Sequence, residues 1–235
     1  MNDDTIMAET GIAERYRTVR ERIEKACARA RRDPADIQLV AVSKGHDPEH
    51  IREAMTCGVT VFGESKVQEA RAKIPQCPEG LTWHLVGHLQ TNKIKHAVPL
   101  FDVVHSVDSL KRLTALDDAC DAYGRTLQIF VEVNVSGEKS KFGLKPEAAS
   151  EVLEATLQCR RLELRGLMTM APLASDPEKT RPYFRQLREW RDQWSRDLNI
   201  PMSDLSMGMT NDFEVAIEEG ATYIRVGTAL FGERG

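Results

Sequence analysis

Leu39-Val40-Ala41-Val42-Ser43-Lys44-Gly45-His46-Asp47-Pro48 is the stretch on which the reading of the fold turns. Its apolar, β-rich first half reads as a strand, and Asp47-Pro48 places an N-cap before a proline at the first helical position. A helical pattern follows over 48–57, Gly58 stops it, and a second strand-like run begins at Val59. The alternation continues outward to strand-like runs at 39–43, 59–62, 83–86, 103–105, 127–133, 162–168, 202–206 and 222–226. Between them lie helical patterns at 48–57, 66–74, 92–97, 109–122, 146–157, 177–198 and 212–219. Asp176-Pro177 repeats the capping signal, and Gly220 sits where a helix should stop. Upstream, Ile12, Tyr16, Val19, Ile23, Ala26 and Ala30 share a helical spacing over 11–32, with Pro34 expected to end that helix. Eight strands alternating with helices imply a parallel sheet, and eight is the number that closes a barrel. The expected fold class is therefore α/β: a single (β/α)8 TIM-type barrel with an extra N-terminal helix. A doubly wound open sheet is its structural rival.

The totals agree with one large domain. The chain has 235 residues, 41% of them hydrophobic and 29% charged, enough to bury a sizeable core. We expect residues 1–10 to be a flexible N-terminus and 11–235 to be the single domain. A net charge of −4 argues against a general nucleic-acid surface. The five cysteines are odd in number, widely spaced and without a C-x-x-C pair, which points to reduced thiols in a cytoplasmic protein. The start is polar and acidic, unlike a signal peptide, and no apolar run reaches the roughly 18 residues of a membrane helix. No long apolar helical face is left over after barrel closure, so a monomer is expected.

Lys44 follows the first strand, so it would project from the strand's C-terminal end into the mouth, where such barrels place their sites. Burial there would disfavour the ammonium form and ready the amine for an aldehyde. A solvated lysine at a strand end is the plain alternative for this segment alone. Ser206-Met207-Gly208-Met209-Thr210-Asn211-Asp212 follows the seventh strand and opens a helix, where small residues and unpaired N–H groups suit an anion. Thr210 as an ordinary N-cap explains that segment equally well. Arg225-Val226-Gly227-Thr228-Ala229 closes the eighth strand and again offers backbone N–H groups and a hydroxyl. The loops after strands seven and eight form the usual phosphate site of this architecture, and their coincidence outweighs each separate alternative. Arg225 would point inward, towards a ring held by that phosphate. If it met a pyridine nitrogen it would disfavour protonation there, weakening the ring as an electron sink.

His84 and His88 have the spacing of helical metal ligands, but on a strand such positions lie about 13 Å apart. No cysteine, histidine or carboxylate cluster completes a set, and no metal is expected. Lys93, Lys95 and His96, and Lys139, Lys141 and Lys145, read as solvated basic faces.

Six ordered motifs carry a resemblance from about residue 11 to the C-terminus. They are Val42-Ser43-Lys44; Phe62-Gly63-Glu64 with Val67-Gln68-Glu69; and Trp83-His84 with Gly87-His88-Leu89-Gln90-Thr91-Asn92-Lys93. Gly166-Leu167-Met168-Thr169-Met170, Leu205-Ser206-Met207-Gly208-Met209-Thr210 and Arg225-Val226-Gly227-Thr228-Ala229-Leu230-Phe231-Gly232 complete the set. Together they resemble the pyridoxal phosphate homeostasis protein family, which is similar to the barrel domain of alanine racemases and lacks their second domain. The resemblance implies pyridoxal 5′-phosphate as cofactor, a Schiff base on Lys44, phosphate contacts from Ser206, Thr210, Gly227 and Thr228, and Arg225 opposite the pyridine nitrogen. It implies a carrier and regulator of vitamin B6 and amino-acid balance, with PLP-dependent apo-enzymes as the expected recipients. The chain departs from the family pattern in three places. Ser65 stands where asparagine is common, and Gly45-His46-Asp47-Pro48 replaces the usual residues after the lysine, with His46 expected to face solvent. Thr210 stands for serine and keeps the hydroxyl. A racemase or lyase is the alternative, but two-base racemisation needs a second proton donor, which the racemases take from the domain missing here.

Overall fold

The computed structural model describes residues 11–138 and 141–233, so the stretch 1–10 expected to be flexible and Lys139 lie outside the described residues. Eight parallel strands close a barrel in sequence order. They are β1 (Gln38–Val42), β2 (Val61–Glu64), β3 (Thr82–Leu85), β4 (Val103–Val107), β5 (Leu127–Glu132), β6 (Leu162–Met168), β7 (Asp204–Met209) and β8 (Tyr223–Val226). β8 pairs back onto β1, with Leu39 opposite Ile224 and Ala41 opposite Val226. The helices are α1 (Ile12–Ala30), α2 (Pro48–Thr56), α3 (Val67–Lys73), α4 (Ile94–Ala97), α5 (Leu110–Tyr123), α6 (Pro146–Thr156), α7 (Arg181–Asp197), α8 (Phe213–Glu218) and α9 (Thr228–Phe231). The closed order excludes the open-sheet rival.

Strand residues alternate between two buried layers, as a parallel barrel wrapped in helices requires. Leu39, Ala41, Phe62, Trp83 and Leu85 pack outward with the helices in one large cluster. Val40, Val42 and Val86 face one another inside, and Val103, Phe130 and Met168 form a second interior group. Among the described residues no helix is long and apolar enough to cross a membrane.

Several boundaries differ from expectation for local reasons. α1 stops at Ala30 because Arg31 turns left-handed (φ 55°), and the N–H groups of Arg31 and Arg32 bond back to Ala28 and Cys27 carbonyls. Pro34 begins a separate 3-10 turn rather than ending the helix. Asp47 takes the N-cap position of α2 without a side-chain bond, whereas Asp176 accepts from Glu178 N. β2 runs Val61–Glu64 rather than 59–62, because the carboxyl of Glu64 finds partners inside the fold. β7 continues to Met209, through Met207-Gly208-Met209, where the glycine reads as loop. Its register against β8 slips between Ser206 and Met209, a bulge of the kind that re-aims a strand end at a site. Gly208 lies in the slip at φ 90°, and a Cβ there would sit 2.5 Å from the Ala216 Cβ, so only glycine fits.

Candidate functional site

One cavity of about 400 Å3 opens at the C-terminal end of the barrel. Lys44, from the turn after β1, lines it together with Thr210 after β7 and Gly227 and Thr228 after β8. The two loops touch: Ala229 N donates to Thr210 Oγ1 at 3.4 Å. The loop after β7 is braced from within by Met209 N donating to Asp212 Oδ1 at 2.7 Å. It is braced from α1 by Arg22 Nη2 donating to Thr210 O at 3.1 Å. Lys44 itself is exposed, so the expected burial of its amine is not found; the mouth around it is open.

Arg225 forms part of the cavity wall and is 4% exposed. Its Nη1 donates to Ser206 Oγ at 2.7 Å and its Nη2 to Thr169 O at 2.9 Å. Burial brings the guanidinium down to about 10, with Glu132 and Asp212 opposing, so it remains a cation at neutral pH. Ser206 is fully buried in β7 and does not line the cavity. Its position inside the strand, rather than in the loop, turns its hydroxyl into the barrel. There it meets His105 Nδ1 at 2.8 Å, and His105 Nε2 lies 2.9 Å from His84 Nδ1. Burial pushes His84 down to about 3 and His105 well below the usual histidine range, so both rings are neutral. With Ser206 accepting from Arg225, donation from Ser206 to His105 and from His105 to His84 gives Ser206 and His105 one donor and one acceptor role each and leaves His84 Nδ1 as the last acceptor. A polar chain thus takes part of the interior that branched aliphatics usually fill, beside the valines already described.

Other wall residues were not foreseen. His46, expected to face solvent, is 8% exposed and lines the cavity, its ring 5.1 Å from that of Phe231. Ser65 lines it too. His88 stacks on Phe142 with ring centroids 3.8 Å apart, and both face the cavity. Behind His88, Arg112 pairs with Asp108. Phe142, Leu173 and Met209 are exposed apolar side chains on the same wall. His105 and Glu132 were legible only through strand alternation: each lies an even step along its strand from an inward neighbour, Val103 and Phe130 respectively. Among the described residues no group of three or more potential ligands could hold a metal.

The arrangement offers an accessible amine, two hydroxyls and backbone at the starts of α8 and α9, and a buried cation. That set suits a ligand with both a carbonyl and a phosphate. Residues 15–235 match the family described as alanine racemase, N-terminal domain. The pyridoxal phosphate homeostasis protein of Aquifex aeolicus is 45% identical over 222 residues, covering 94% of this chain and 97% of that one. The chain belongs to the pyridoxal phosphate homeostasis protein family. The namesake from Pseudomonas aeruginosa is 42% identical over 95% of this chain and 96% of its own. The structure of PipY from Synechococcus elongatus with PLP bound superposes with a TM-score of 0.83 at 38% identity, over 94% of this chain and all of that one. Of the segments on which the resemblance was read, 62–64 and 67–69 lie off the cavity wall.

Proposed function

We propose that this chain binds pyridoxal 5′-phosphate and serves vitamin B6 homeostasis and amino-acid balance without catalytic turnover of its own. The observation that carries the reading is the meeting of Lys44 with Thr210, Gly227 and Thr228 in one cavity. Lys44 is the amine that holds the cofactor as a Schiff base, adding to the aldehyde carbon as water leaves. Thr210, Gly227 and Thr228 hold the phosphate. Arg225 faces the ring, and Ser206 acts through Arg225 by keeping its guanidinium in place. Bound pyridoxal phosphate supplies an electrophilic aldehyde and a ring able to accept electrons. A fixed cation at the ring nitrogen keeps that nitrogen unprotonated, which favours storage over carbanion chemistry. The names of the relatives support the same role. We place the protein in the cytoplasm as a monomer that hands its cofactor to PLP-dependent apo-enzymes.

The test is spectroscopic and then kinetic. Purified protein given pyridoxal 5′-phosphate should develop an absorbance band near the visible edge, lost on borohydride reduction and missing in Lys44→Ala. Single-enantiomer amino acids added to the same sample should keep their chirality. No band in the unsubstituted protein removes the cofactor reading; steady racemisation or decarboxylation replaces the carrier with an enzyme.

A further inference from the structure

Lys44 stands at a corner that other residues hold. His46 N donates to Ser43 O at 3.1 Å, closing a β-turn in which Gly45 takes a left-handed conformation (φ 74°). Lys73, at the end of α3 and 7% exposed, sends its ammonium group to three acceptors: Ser43 O at 2.7 Å, Glu64 Oε1 at 2.8 Å and Glu69 Oε1 at 2.8 Å. Three donors meet three oxygens, which offsets the cost of burying the charge. Glu69 Oε1 also accepts from Gly45 N at 2.5 Å, and Ser43 Oγ donates to Glu64 Oε1 at 2.7 Å. The peptide groups on both sides of Lys44 are therefore fastened to β2 and α3, while the Lys44 side chain stays exposed. Ser43, Glu64, Glu69 and Lys73 do not line the cavity.

We propose that Lys73, Glu69 and Glu64 are positioning residues for Lys44, holding the Ser43–Gly45 backbone so that the amine meets a carbonyl carbon set by the phosphate cradle. The proposal rests on the reading of Lys44 as the Schiff-base lysine. A misplacement of about 1 Å is enough to cost a reaction on the order of 100-fold, so backbone fastening at this corner has a measurable consequence.

The test uses two probes on the full chain: pyridoxal 5′-phosphate, and pyridoxine 5′-phosphate, whose alcohol cannot condense with an amine. Glu69→Ala and Lys73→Met should weaken formation of the visible-edge band roughly tenfold while pyridoxine 5′-phosphate binds within about twofold of the parent. Glu69→Gln keeps an acceptor for Gly45 N and should recover most of the band. In the free chain, amide hydrogen exchange at Gly45 should accelerate in Glu69→Ala and not in Glu69→Gln. If Lys73→Met does not fold, the Glu69 pair carries the comparison, since Glu69 lies partly at the surface. Band formation within twofold of the parent in Glu69→Ala, or parallel loss of both probes, overturns the proposal alone. A parent protein without any band overturns the Lys44 reading and this proposal with it.

Discussion

Arg225 shows how one buried cation is made tolerable and placed to act. A guanidinium taken out of water is costly unless its donors are met, and here a hydroxyl and a carbonyl meet two of them. Ser206 in turn is held by His105, and His105 by His84. The chain of bonds spans β8, β7, β4 and β3, so it sets the direction of Arg225 from across the barrel. Ser206→Ala removes the hydroxyl and leaves an Arg225 donor buried without its acceptor. We expect a loss of about 1–3 kcal/mol, read as a lower denaturant midpoint at an unchanged slope. An unmoved midpoint would mean that Arg225 is satisfied without Ser206. The residue scale also shows where sequence reasoning reaches its limit. Lys44 was readable as a residue of the barrel mouth because it stands two residues past the end of an apolar strand. Ser206 falls inside the strand read at 202–206, but the continuation through Met207-Gly208-Met209 was not legible, because a glycine there reads as loop while the chain carries it in a bulged strand. His46 was misjudged because polar residues after a turn usually face water, and here the Phe231 ring of the last helix covers it.

α1 precedes the eight-strand pattern, yet it fastens the far end of the chain. Arg15 donates to the carbonyls of Leu230 and Phe231, and Arg32 to those of Ile217 and Ala221. Arg22 makes the contact closest to the cavity: it pairs with Glu214 at 2.7 Å, lies 4.4 Å from the Phe213 ring centre and donates to Thr210 O. Its side chain is 29% exposed, so water screens it only partly. Arg22→Ala should cost about 1–3 kcal/mol in unfolding free energy and weaken pyridoxine 5′-phosphate binding at the Thr210 loop. Arg29→Ala, which removes an ion pair whose arginine is 55% exposed, should cost about 0.5 kcal/mol or less and leave binding alone. Equal effects of the two substitutions on binding would show that the Arg22–Thr210 contact does not set the loop for the ligand. This helix was readable as a helix from its apolar spacing, but its partners were not. Its arginines fall outside the apolar spacing, and only closure of the barrel brings residues about two hundred positions away against them. The eight strands were readable for the opposite reason: each one announces itself locally, by an apolar run between helix stops and caps. Their ends were less so, as β2 and β7 show, since a carboxylate or a glycine can belong to a strand once its partner comes from another element.

At the scale of the whole barrel, the polar interior makes stability depend on pH in a way that a purely apolar interior would not. Burial pushes Glu132 up from 4.5 to about 7, with Arg225 and Arg112 pulling the other way. Between those two values the unfolded chain has released that proton while the folded chain keeps it, so this group favours folding below about 4.5 and loses that contribution as pH rises through 7. His84 runs in the opposite direction. Its folded value of about 3 lies below the ordinary 6.5, so the unfolded chain takes up a proton that the folded chain refuses. Its contribution is present above 6.5 and is lost as pH falls towards 3. His105, also held well below its usual range, adds a second proton of the same sign. Between pH 5.5 and 7 two histidines therefore work against one carboxyl, and stability should fall on acidification with part of the histidine slope cancelled. Glu132→Gln removes the opposing group and should steepen that acid limb. His84→Gln keeps a hydrogen-bonding side chain but removes one titrating ring and should flatten it. Urea unfolding of the three proteins at pH 5.5, 6.25 and 7 gives the comparison, and the expected order of slopes is Glu132→Gln, then the parent, then His84→Gln. Parallel profiles for all three would mean that these groups titrate alike in the folded and unfolded chains. In that case the barrel interior would have to be wet enough to hydrate Glu132 and both histidines, and the fixed orientation of Arg225 would lose its physical basis.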